Sequence, residues 1–208
     1  MGLASPRSPR KIRVRGWIES SVGVNQAGQH GPVKCTMSKN RKTAMSMFQD
    51  TNYHWRETCF VYFCRENRPT LRKVLKALET VGPQYQVTNA QADPEGRFES
   101  MTVIAPDAFS ALDICYLEGP EIQEEVEKQV KELSASDLTV AEQKQLAKLR
   151  MCDARFDVFH FERLVEEDDE DDDGMGDFFD PSALIIVLDA LSKLTRGIAI
   201  DPQSGILL

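Results

Sequence analysis

Few side chains in this sequence could do chemistry, and they are widely spaced. His160 stands in the alternating run ARFDVFHF, residues 154–161, with Asp157 and Glu162 close by. An imidazole titrates near neutral pH and can take a proton from a nucleophile within hydrogen-bond reach. Cys115 and Cys152 are the thiols such a base would activate, so a Cys/His pair is the enzymatic expectation. The bland alternative is a strand histidine satisfied by structural neighbours. His54 precedes the first expected strand and is expected to be exposed. Arg65, Arg68 and Arg72, with Lys73, cluster where a strand gives way to a helix. Guanidinium groups beside a helix N-terminus can hold an anion. A solvated helix start is the plainer account.

The acidic run at 166–173 is eight consecutive Asp and Glu residues, followed by Gly174-Met175-Gly176. From Asp169 the spacing resembles a calcium loop of the EF-hand type. Asp169, Asp171, Asp173, Asp177 and Asp180 fall at carboxylate positions, with Gly174 at the turn. The resemblance covers twelve residues and implies a weak divalent-cation site. It departs from the pattern in three ways. The last ligand is Asp instead of Glu, Gly176 replaces the usual hydrophobic anchor, and Pro181 follows at once. Eight like charges also repel and extend, so a solvated tether between two packed segments explains the run without a metal.

Other motifs are missing. The chain has no Gly-x-Ser-x-Gly, no phosphate-cradling glycine loop and no Cys-x-x-Cys pair. Five scattered cysteines without an apolar leader argue for small buried thiols in a reducing compartment. No cofactor is expected, and no run of about 20 apolar residues exists to cross a membrane.

These side chains need elements to position them. TCFVYFC at 58–64 has strand composition, and the folded part is expected to begin there. Leu71, Val74, Leu75 and Leu78 form a helical stripe. Residues 84–92 and 97–105 read as a hairpin around Asp93-Pro94-Glu95-Gly96. A further strand is expected over 111–117. A helix pair follows, with Ile122, Val126, Val130 and Leu133 in the first and Val140, Leu146 and Leu149 in the second. The run at 154–161 alternates, with Phe156, Val158 and His160 on one face and Phe159 and Phe161 on the other. After the acidic run comes a helix apolar over most of its circumference, then a short hairpin.

This order predicts an α+β fold: a ferredoxin-like antiparallel sheet with helices on one face, plus a C-terminal helix and short hairpin. The domain reading is a disordered basic leader over 1–44, a core over 45–162, an acidic linker over 163–180, and a helix-hairpin over 181–208 packing on the core. Residues 1–44 carry net +8 and the remainder −16. The leader reads as an overlong start with Met45 or Met47 as the true beginning, as a targeting peptide, or as a nucleic-acid-binding arm. Nucleic acid is the least favoured partner, because one tryptophan makes a poor stacking platform. The expected setting is the cytoplasm.

The leading functional expectation is a non-catalytic binding or assembly domain, acting through sheet-edge or terminal-helix contacts with a second copy or another protein. The alternatives are a small enzyme with an anion-binding turn near 65–72 and a Cys/His pair, and a weak cation-binding regulator using 169–180.

Overall fold

Eleven residues form the first strand, β1 (Tyr53–Phe63). It starts five residues before the apolar composition does, because its first half is held by pairing and not by burial: Tyr53 faces Arg163 and His54 faces Glu162 across the ladder. The computed structural model describes residues 46–134, 138–164, 181–204 and 206–207.

Thr70 caps α1 (Leu71–Val81), which turns Val74 and Leu78 into the core. β2 (Gln86–Ala92) and β3 (Phe98–Ala105) form the expected hairpin. Asp93 closes its turn by accepting from the backbone N–H groups of Glu95 and Arg97. β4 (Ser110–Glu118), α2 (Pro120–Leu133) and α3 (Val140–Leu149) come next. Then follow β5 (Ala154–Arg163), α4 (Ser182–Thr195), β6 (Ile198–Asp201) and β7 (Ile206–Leu207).

The class is α+β, with one antiparallel sheet in the order β2-β3-β4-β5-β1-β6-β7. The ferredoxin-like expectation is not met. In that topology a single strand separates the two strands joined by the first helix. Here β3, β4 and β5 all lie between β1 and β2. The physical reason is the long β1–β5 ladder, which runs from Tyr53↔Arg163 to Phe63↔Ala154 and takes the place an interleaved strand would need.

The expectation of helices on one face is also corrected. Cys59, Val61, Phe63, Phe156 and Val158 pack against α1 and α4. The alternate residues Phe60 and Tyr62 pack against α2 and α3. Helices therefore cover both faces of the sheet, and β5 is buried on both sides from Ala154 to Phe161. That is why this strand carries large residues at consecutive positions instead of a polar alternate face.

Burial on both faces forces the polar residues of β5 into partnerships. Arg155 donates to Asp157 at 2.6 Å, to Tyr62 Oη at 3.2 Å, and to Glu125 of α2. Its guanidinium lies 4.1 Å from the Phe60 ring centre. Burial pushes the Asp157 carboxyl up, against the pull of Arg155. Asp113 of β4 accepts from Thr102 Oγ1 at 2.7 Å, and from Ser46 Oγ and the Met47 N–H at 2.9 Å. That carboxylate ties a short 3-10 turn at Met47–Gln49 onto the sheet.

Candidate functional site

His160 sits where three strands meet. Ser110 Oγ of β4 lies 2.9 Å from Nε2, and Glu57 Oε1 of β1 lies 3.1 Å from Nδ1. In the tautomer of a neutral ring that carries its proton on Nδ1, that N–H donates to the Glu57 carboxylate and Nε2 accepts from the Ser110 hydroxyl. Pairing creates this chain: Leu112 of β4 and Glu57 of β1 both face His160 across the ladder, and Ser110 lies two residues from Leu112. A bulge between Trp55 and Glu57 resets the register so that Glu57 stands opposite the imidazole.

The three groups stand in the order a serine nucleophile, its base and the orienting acid would require. Access is another matter. Ser110 and His160 are only 2% and 1% exposed. Glu57 is the end that reaches solvent. As it stands, the chain joins three strands and satisfies a buried imidazole.

The thiols expected beside His160 are placed elsewhere. Cys115 is opposite Asp157, on the other face of the sheet, packed with Met47, Phe159 and Phe161. Cys152 precedes β5, and the stretch from Ala154 to His160 alone spans about 20 Å. Cys59 shares the His160 face, but burial pushes its thiol far up, with Glu57 and Asp201 adding to the effect. His54 is exposed and lies on β1 itself.

The arginine cluster is divided as well. Arg68 is ion-paired to Asp93 at 3.2 Å, donates to the Phe98 carbonyl and lies 4.0 Å from the Tyr116 ring centre. Arg65 pairs with Asp153 at 3.2 Å. Arg72 is exposed on the first turn of α1. The expected cation ligands Asp169, Asp171, Asp173, Asp177 and Asp180 lie outside the described residues. Among the described residues, no group of three His, Cys, Asp or Glu side chains could hold a metal ion. Among them too, no helix is long and apolar enough to cross a membrane.

Two surfaces went unread in the sequence. One end of the sheet gathers exposed large apolar side chains. Phe109 is 51% exposed, Leu164 57%, Phe48 43% and Trp55 38%. They are brought together by pairing. Trp55 faces Phe161, Phe48 stacks edge-on 4.8 Å from Phe161, the Arg163 N–H donates to Phe109 O, and the Leu164 N–H donates to Asn52 O. Ser110 and Glu57 of the buried chain brace the same strand ends. Phe109 is also held in a left-handed conformation at φ 47°, uncommon for a bulky residue. The second surface is an open groove of about 760 Å³, lined on one side by Val126, Val130 and Lys131 of α2 and on the other by Met151, Cys152 and Asp153.

The sequence signals for the first surface were the large apolar residues Phe109 and Leu164 directly beside β4 and β5 and Trp55 near the start of β1, but only pairing shows that these ends coincide. Fold and surface together describe an α+β domain with an apolar core, a few paired polar groups buried in it, and an apolar rim. No protein-family model, curated protein or solved structure matches the chain.

Proposed function

We propose that the chain is a non-catalytic binding or assembly domain, acting through its terminal helix and the apolar end of its sheet. The observation that carries this reading is the set of large apolar side chains, Phe48, Trp55, Phe109 and Leu164, left exposed at one end of the sheet. Contiguous exposed apolar surface is the ordinary mark of a protein contact. α4 adds Ile185 and Ile186, at 53% and 39% exposure, on the side away from its buried Leu184, Val187, Leu188 and Leu191. A sheet-edge contact fits less well at β2, where bulges and a left-handed Asn89 break the ladder, a usual defence of an edge.

A second copy of the chain is the first partner to test. Cutting off residues 181–208 would open the core, so surface substitutions are the better probe. Sedimentation of the full chain at about 100 μM, well above a micromolar dissociation constant, is expected to show a dimer. The variants Trp55→Ser/Phe109→Ser and Ile185→Lys/Ile186→Lys are expected to shift it to monomer with unchanged circular dichroism. A wild-type chain that stays monomeric at that concentration removes the self-assembly form of the proposal.

One observation favours a second reading. The distances of 2.9 and 3.1 Å in Ser110–His160–Glu57 suit acyl transfer if the strand end opens. Labelling by a fluorophosphonate that is lost in Ser110→Ala would support it. Without labelling, the chain is structural.

A further inference from the structure

Two thiols meet at the opposite end of the sheet from the apolar rim. Cys64 follows β1 directly and caps the 3-10 turn Arg65–Asn67. Cys152 lies in the turn between α3 and β5. Phe63 faces Ala154, and the Asp153 N–H donates to Phe63 O at 3.3 Å, so the two chain segments cross here. The Cys64 thiol donates to the Met151 carbonyl oxygen at 3.2 Å. That oxygen belongs to the peptide leading into Cys152. In a planar trans peptide it lies about 3 Å from the next Cα, which puts Cys64 Sγ within about 6 Å of Cys152 Cα. Each thiol makes only a weak bond to a carbonyl, Cys152 to Lys148 O at 3.4 Å, and either can rotate away. Residues 150–153 belong to no helix or strand and are held by turn bonds, so the approach asks mainly for rotation of the two side chains.

We propose that Cys64 and Cys152 form a reversible disulfide when the protein meets a hydroperoxide. Cys64 is the half-exposed member and attacks first. Its sulfur bonds to one peroxide oxygen as the O–O bond breaks, giving a sulfenic acid and releasing the other oxygen as water or an alcohol. Cys152 then attacks the Cys64 sulfur, the S–O bond breaks, and one water leaves. Two thiol protons and two electrons pass to the peroxide, and one S–S bond results. The bond joins Cys64 to Cys152, 88 positions apart in the chain, and pins the rim of the α2 groove, where Met151, Cys152 and Asp153 stand. Cys152 is pushed up to about 12, by burial first and then by the nearby Cys64. Cys64 is raised by burial, then by Asp153 and Glu66, against Lys148. High thiol pKa values make oxidation slow and make each sulfur a poor leaving group afterwards. The pair is therefore a latch that holds once closed, not a fast sensor.

The test treats the folded full-length chain with hydrogen peroxide, alkylates the remaining thiols, and maps the peptides by mass spectrometry before and after a dithiol reductant. The expected result is a cross-linked Cys64–Cys152 peptide, two hydrogens lighter than its parts, and a higher melting temperature. Both should revert on reduction and be lost in Cys64→Ser. That substitution is at a half-exposed position, so circular dichroism should confirm the fold is kept. Alkylated Cys64 and Cys152 at every peroxide dose would overturn the proposal. So would Cys64 ending as sulfinic acid with Cys152 free, or either thiol linked to another of the chain's five cysteines instead.

Discussion

His160 carries more of the local architecture than its lone position in the sequence suggests. It is 1% exposed and bonded on both ring nitrogens, and burial without those bonds would cost free energy. Replacing it with Ala removes ring volume and strands the Ser110 hydroxyl in the same step. His160→Ala is expected to lower stability by about 2–4 kcal/mol. Ser110→Ala should cost less, because His160 keeps Glu57. Glu57→Gln should cost least, since that side chain reaches solvent. Chemical denaturation of the three variants checks the order. A His160→Ala effect below about 0.5 kcal/mol, the ordinary surface value, would show that the chain is not a brace. Arg155 teaches the same lesson on the other face: a charge in a β-run reads as an outward position, yet here it is buried against Asp157, Glu125 and Tyr62.

Among the elements, the helices follow their local signals most closely. α3 is short, and its start is held by a full capping box. Thr139 Oγ1 accepts from the Glu142 N–H, and the Glu142 carboxylate accepts from the Thr139 N–H at 2.7 Å. Those bonds lower the Glu142 carboxyl below its usual range, with the Thr139 contacts as the cause. A carboxyl lowered by folding contributes stability above its unfolded value and loses it as pH falls through the folded one. Glu142→Gln should therefore be less stable than wild type at pH 7. The gap should close below about pH 4.3, the ordinary glutamate value. Melting curves across that range test it, and a gap constant with pH would mean the carboxylate charge is not what matters. Elements also show where local reading stops. The apolar stripe of α1 and the hairpin turn at Asp93 follow from spacing and turn chemistry. The first half of β1 does not, because its residues His54, Arg56 and Glu57 are polar and gain their strand geometry from β5.

For the whole molecule, connectivity matters more than composition. β1 pairs with β5 about a hundred residues later in the chain and then with β6, later still. Such pairing must close long loops before any contact rewards it, which slows folding. Refolding from denaturant is expected in the millisecond-to-second range, measured by circular dichroism in stopped flow. A microsecond phase carrying the whole amplitude would contradict a fold nucleated across β1 and β5. Gly197 shows how tightly the last segment returns. A Cβ at that position would come within 2.7 Å of the Tyr62 carbonyl oxygen, so the turn from α4 into β6 passes directly over β1.

Taken alone, the sequence determined most of the secondary elements, the α+β class and the contrast in charge between a basic first segment, an acidic run and the rest. Those follow from periodicity, turn residues and charge, which are local properties of the chain. Tertiary structure decided the strand order, the covering of both sheet faces, and the partners of His160, Arg68 and Cys64. Each depends on residues far apart in the chain, and period and composition carry no information about which distant strand a given strand will meet. The candidate site was legible only as His160. Ser110 and Glu57, ordinary polar residues in the sequence, became its partners once β4, β5 and β1 lay side by side.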